Sequence, residues 1–144
     1  AELDVLWPQK VAWAHRIKIA TAGAIEEHGT DADRSLFDGL EKEISQAIAA
    51  RDLRGLQRKS SAMSRLRHRV LSRRPEYWID LFWWLERRRE SMTNRERATR
   101  LINEGKAAID NQDYRTLERV VLDLDAMVPP DELDRPLGLS SHVR

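Results

Sequence analysis

Apolar residues recur along this chain at three- and four-residue intervals nearly everywhere, and no stretch alternates apolar and polar residues as a half-buried strand would. The pattern predicts an all-α fold of about six helices. The first should run from about Leu3 to Glu27 with Leu6, Trp13, Ile17, Ala20 and Ala24 at helical spacing, and Gly29 should end it. Pro8 suits this helix if the helix proper begins there, because a proline's fixed φ and missing N–H fit a first turn. Thr30 to Asp33 supplies capping residues for a second helix, whose stripe is Leu36, Phe37, Leu40, Ile44, Ala47 and Ile48 and which reaches Ala50. After a turn at Arg51-Asp52, a third helix places Leu53, Leu56, Ala62, Met63, Leu66 and Val70 on one face and Arg54, Arg58, Arg65, Arg69 and Arg73 on the other. Pro75 should stop it. A short fourth helix holds Tyr77 to about Met92. A fifth, capped by Thr93 or Asn94, passes through Leu101, Ile102, Ala108 and Ile109, and a sixth follows Asp113 through Leu117, Val120, Val121 and Leu124 to Val128. The pair Pro129-Pro130 should close the ordered part and leave 130–144 as a flexible tail.

The segment LEKEISQAIAARDLRGLQR, starting at Leu40, aligns without gaps on LINEGKAAIDNQDYRTLER, starting at Leu101. Leu40, Glu43, Ala47, Ile48, Asp52, Arg54, Leu56 and Arg58 match Leu101, Glu104, Ala108, Ile109, Asp113, Arg115, Leu117 and Arg119. In each copy a helix closes on Ala-Ile, a polar turn ends in an Asp suited to an N-cap, and Leu follows four residues later. That is the spacing of an antiparallel helical hairpin, with Ala47 and Ala108 small enough to let paired helices approach as in tetratricopeptide-like repeats. Common ancestry and convergence on a generic hairpin both account for the match. The architecture predicted is two such hairpins bridged by the aromatic helix: residues 1–74 with the first hairpin, 75–129 with the aromatic helix and the second.

Composition narrows the function classes. The 144 residues include no cysteine, which excludes disulfides, thiolate metal sites and cysteine nucleophiles. Charged residues make up 34% of the chain yet sum to +1, so net charge gives no long-range attraction to nucleic acid or an anionic membrane. Apolar runs fall well short of the roughly 20 residues that span a bilayer, so no membrane partner is expected and a cytoplasmic location is the default. The first residue is Ala1 rather than Met, as expected of a processed chain or a piece of a longer protein.

Enzyme signatures do not emerge. The six glycines are dispersed and form no phosphate loop. Of the four histidines, His15 and His28 sit near opposite ends of the first helix, His68 lies among arginines and His142 is in the tail, with none at metal-pair spacing. Glu26, Glu27, Asp123 and Asp125 should be wet, so no carboxylate is expected to have the raised pKa of a general acid. Ser60, Ser61 and Ser64 lack a nucleophile elbow and an activating histidine. No catalytic residue, metal ligand or cofactor is therefore expected. The arginines of SRLRHRVLSRR and LERRRE could form a phosphate-binding face, but Glu41, Glu43, Glu86 and Glu90 should pair with them, so nucleic acid is not the expected partner.

The cluster EYWIDLFWWLERR stands apart, with five aromatics in eight residues. Tyr77, Trp78, Leu81, Phe82 and Leu85 make one stripe and leave Trp83 and Trp84 around the side. Wedging between hairpins would bury both sets. Exposure would make them a partner site, with Tyr77, Trp78, Trp83 and Trp84 as aromatic anchors and Arg87 and Arg88 adding cation–π or ion-pair contacts. Exposed aromatics on a small body also allow a homodimer.

These residues resemble the C-terminal helical region of bacterial Hsp70-type, DnaK-like chaperones. The resemblance lies in Tyr77-Trp78, Phe82 and Leu85, then Met92-Thr93, Ala98, Leu101-Ile102, Gly105, Ala108-Ile109, Asp113, Leu117, Val120 and Pro129. The run from Glu2 to Arg74 is compatible with that family only as long helices. Asp123 and Asp125 depart from the family pattern, whose last helix is apolar and aromatic before its proline. The resemblance implies a non-catalytic lid or extension that covers client peptide or recruits a partner or a second copy, with ATP hydrolysis belonging to another domain of the chaperone. An independent tetratricopeptide-like adaptor is the alternative.

Overall fold

The computed structural model describes residues 2–129, and side chains from Val5 onward; the expected flexible tail at 130–144, with His142, lies outside the described residues. The described residues hold six α-helices, one 3-10 turn and no strand: α1 (Glu2–His28), α2 (Asp31–Ala49), α3 (Leu53–Leu71), α4 (Pro75–Glu86), the turn Arg89–Ser91, α5 (Arg95–Asp110) and α6 (Tyr114–Asp125). They group into two compact units, one within Ala1–Leu71 and one beginning at Ser72. Each consists of a leading helix and a hairpin, and in each the leading helix packs chiefly on the hairpin's second helix: α1 on α3, and α4 on α6.

In the first unit Ala14, Ile17, Ala24 and Ile25 of α1 meet Ile44 and Ala47 of α2 and Leu56, Met63, Leu66 and Val70 of α3. Thr21 is wholly buried among them, and its hydroxyl donates to the Ile17 carbonyl at 2.6 Å, which satisfies the polar atom within its own helix. α1 begins six residues before Pro8, not at it. A proline there removes the bond to the Asp4 carbonyl, and the turn persists because Trp7 packs against the core, with the Arg51 guanidinium 5.8 Å from its ring centre. α2 is started by a capping box: Asp33 N–H donates to the Thr30 hydroxyl at 3.2 Å, and Thr30 N–H donates to the Asp33 carboxylate at 2.9 Å. That reciprocal pair allows Asp33 to be 2% exposed. Leu36, expected on the α2 stripe, is instead 45% exposed. The face that turns inward carries Asp33, Phe37, Leu40, Ile44 and Ala47, and Leu36 lies about 100° away from Phe37 around the helix.

The two hairpin turns are the same structure twice. Asp52 N–H donates to Ala47 O at 2.9 Å and Arg51 N–H to Ile48 O at 3.1 Å; their counterparts are Asp113 to Ala108 at 2.8 Å and Gln112 to Ile109 at 3.1 Å. This is the Schellman pattern, in which a left-handed residue closes the helix. Arg51 and Gln112 take that position with φ of 54° and 55°. Each following Asp caps the next helix, Asp52 accepting from Gly55 N–H at 3.0 Å and Asp113 from Thr116 N–H at 3.2 Å.

Pro75 does not stop α3, which ends at Leu71; it opens α4, where a proline at the first position costs no hydrogen bond. α4 then stops at Glu86 short of Met92, and the chain passes through a 3-10 turn to the Asn94 cap of α5. In the second unit Trp78, Leu81, Phe82 and Leu85 of α4 are buried, as are Ala98, Leu101, Ile102 and Ala108 of α5 and Leu117, Val120, Val121 and Leu124 of α6. Past α6, Met127 N–H bonds Leu124 O and Val128 N–H bonds Asp125 O, each a tight three-residue turn that tucks Met127 and Val128 inward. Asp125 goes under with them at 2% exposure, although periodicity placed it on a wet face. The same closure is held from the other side by Thr93 N–H, which donates to Met127 O at 3.1 Å.

Candidate functional site

Three local devices position the aromatic helix. Arg74 is extended, at φ −108° and ψ 127°, as a residue before proline must be, and Pro75 sets the first helical turn. Trp78 then donates its indole N–H to the Ser72 carbonyl at 2.9 Å and fastens the preceding turn to the helix. At the far end, the Arg88 guanidinium donates to the Trp84 carbonyl at 3.2 Å and lies 3.9 Å from the centre of the Trp84 ring. One arginine thus satisfies an orphan carbonyl of the helix end, complements the negative end of the dipole and covers an aromatic face.

The six sequence candidates are divided by this geometry. Trp78 is 3% exposed, with its N–H already bonded, so it offers a partner almost nothing. Tyr77 is half-buried and meets Trp78 edge to face at 5.6 Å. Trp83 is 37% exposed, resting one edge on buried Phe82 at 5.0 Å. Trp84 and Arg88 are half-buried as a stacked pair, and Arg87 is exposed at the helix end. Trp83, Trp84, Arg87 and Arg88 therefore come together at the C-terminal end of α4. Arg88, a partner-site candidate by sequence, is engaged within the chain, and its pairing with Trp84 is signalled in the sequence only by four-residue spacing on a helix.

Expected ion pairing is present in part: Arg89 of LERRRE lies 4.0 Å from Glu90. Glu41 pairs with Lys18 at 3.9 Å and Glu43 with Lys59. Glu90 reaches Arg95 at 2.7 Å, Arg119 pairs with Glu104, and Asp123 lies 3.6 Å from Arg119 and 4.0 Å from Arg97. The Thr116 hydroxyl and N–H, aided by the charge of Arg115, hold the Asp113 carboxyl below its usual range. Among the described residues no group of three His, Asp or Glu side chains could hold a metal ion, and no helix is long and apolar enough to cross a membrane.

Comparison with protein-family models, with curated proteins and with solved structures finds no match to this chain.

Proposed function

We propose that this chain is a non-catalytic interaction module of the kind found as the C-terminal helical region of bacterial Hsp70-type chaperones, and that it engages client peptide or a partner through the end of α4. The observation that carries the proposal is the patch of Trp83, Trp84, Arg87 and Arg88: an exposed Trp83 beside a half-buried Trp84–Arg88 stack, on a helix whose Trp78 and Phe82 are in the core. Tryptophan and arginine are among the residues most often found as binding anchors. Most of the residues that carry the chaperone resemblance sit in one core. Trp78, Phe82, Leu85, Met92, Ala98, Leu101, Ile102, Gly105, Ala108, Leu117 and Val120 are all buried in a single unit, so the likeness follows one packed core.

In this role the module works by binding alone, and hydrolysis of ATP belongs to a separate domain of the chaperone. An independent tetratricopeptide-like adaptor is the second reading, favoured by the repeated hairpin turn. Trp83→Ala and Trp84→Ala variants test the proposal, with thermal stability, light scattering and binding to a permanently unfolded client recorded together. The expected result is near-normal stability with weakened client binding or self-association. A stability loss of about 3 kcal/mol or more would make these tryptophans core residues and remove the proposed surface.

A further inference from the structure

A cleft of about 330 Å³ in the first unit is lined by Lys10 and Trp13 of α1 and by Leu56, Gln57, Ser60 and Ser61 of α3. That is near the small end of ligand pockets, roughly 300–1,000 Å³. Wholly buried Leu56 and half-buried Trp13 give it an apolar wall, Lys10 is the one cation among its lining residues, and none of them is a carboxylate. Ser60 is 1% exposed, and its hydroxyl has no hydrogen-bond partner. A buried hydroxyl in that state has left water without replacement, which native cores seldom tolerate without a use. Packing does not require it. The register that pairs Leu56 with Leu117 pairs Ser60 with Val121, and Val121 is wholly buried at the same place in the second hairpin.

We propose that this cleft binds a short peptide segment carrying a carboxylate beside an apolar side chain. Lys10 takes the carboxylate, the wall of Trp13 and Leu56 takes the apolar side chain, and the Ser60 hydroxyl and Gln57 amide bond the peptide backbone. A chain terminus and an Asp or Glu side chain offer the same carboxylate, and probes separate them. The site belongs to the first unit and does not depend on what the end of α4 binds.

Titration calorimetry on the full chain tests it with three acetylated leucine-rich tripeptides: one with a free C-terminal carboxylate, one ending in an amide, and one amide with an internal glutamate. Wild-type protein is expected to bind a carboxylate probe and not the plain amide. Binding of the first probe alone assigns a chain terminus; binding of both carboxylate probes assigns the carboxylate wherever it lies. Lys10→Gln and Ser60→Val should each weaken binding at least tenfold, while Ser60→Val keeps or raises the melting temperature because valine already serves at that place in the second unit. Ser60→Ala provides the same test should valine prove too large, and Trp84→Ala should leave this binding unchanged. Equal binding of all three probes, no binding of either carboxylate probe, or full binding by the Ser60 variants would overturn the proposal.

Discussion

Ile44 and Gly105 hold the same place in the two hairpins and fill the space beside them in opposite ways. In the first unit Ile44 itself enters the core at 2% exposure and packs among aliphatic side chains from α1 and α3. In the second, Gly105 leaves the space empty and Phe82 of α4 fills it: a Cβ on Gly105 would stand 2.1 Å from the Phe82 ring. Backbone geometry of the turns is the same, down to the positive φ at Arg51 and Gln112. The difference lies in the leading helix. The buried α1 residues are small or aliphatic, Ala14, Ile17, Ala24 and Ile25, so the hairpin provides the bulk; α4 buries the Phe82 ring, so the hairpin provides the gap. A shared turn therefore constrains the backbone and leaves the division of volume between helices free, provided the sum fills the core.

The largest test of this complementarity is Phe82→Ala, which removes a wholly buried ring that Gly105 cannot replace. It should cost about 3–5 kcal/mol in denaturant unfolding followed by circular dichroism. Ile44→Ala opens a smaller hole in the first unit and should cost about 2–4 kcal/mol, toward the low end if the aliphatic neighbours collapse into it. Gly105→Ala puts a methyl where the ring already lies, and the ring is too confined to move aside. A loss of about 1–3 kcal/mol is expected, partly recovered by adding Phe82→Leu; an unchanged Gly105→Ala variant would mean that α4 does not pack as closely as described.

The turns give smaller effects. Asp52→Ala removes a cap and should cost about 1 kcal/mol. Gln112→Gly relieves a left-handed side chain at the cost of a freer unfolded chain and should raise stability by under about 1 kcal/mol. Acid tests the Asp113 cap. Because the Asp113 carboxyl titrates lower in the folded chain than in the unfolded one, its contribution is complete above the unfolded carboxylate value and is lost as pH falls through the folded one. Wild type should therefore lose stability on acidification through that window relative to Asp113→Asn, and parallel curves for the two would remove the Thr116 contribution.

Helix number, the hairpin repeat and the caps at Thr30 and Asp113 were legible because they depend on neighbours within about four residues, whereas the α5 cap stayed open between Thr93 and Asn94 until the fold chose Asn94. The buried stripe of α4 was legible for the same reason. Misreadings came where a residue's place depends on a partner distant in sequence. Pro75 has two allowed roles at a helix boundary, and packing of α4 on α6 selected the opening one. Asp125 was drawn inside by the closing turn beyond α6, and Leu36 was left out because the core of the first unit lies on the Phe37 side of α2.

The same division applies to the sites. Sequence by itself determined the class of fold, the repeated turn and the concentration of tryptophan and arginine on one short helix. Only tertiary structure decided that Trp78 is core while Trp83 and Trp84 are not, that Arg88 stacks on Trp84, and that Ser60 meets Lys10 and Trp13 across a cleft. Periodicity reports that a residue has an inward face; which atoms wait on the other side is set by the packing of a helix tens of residues away.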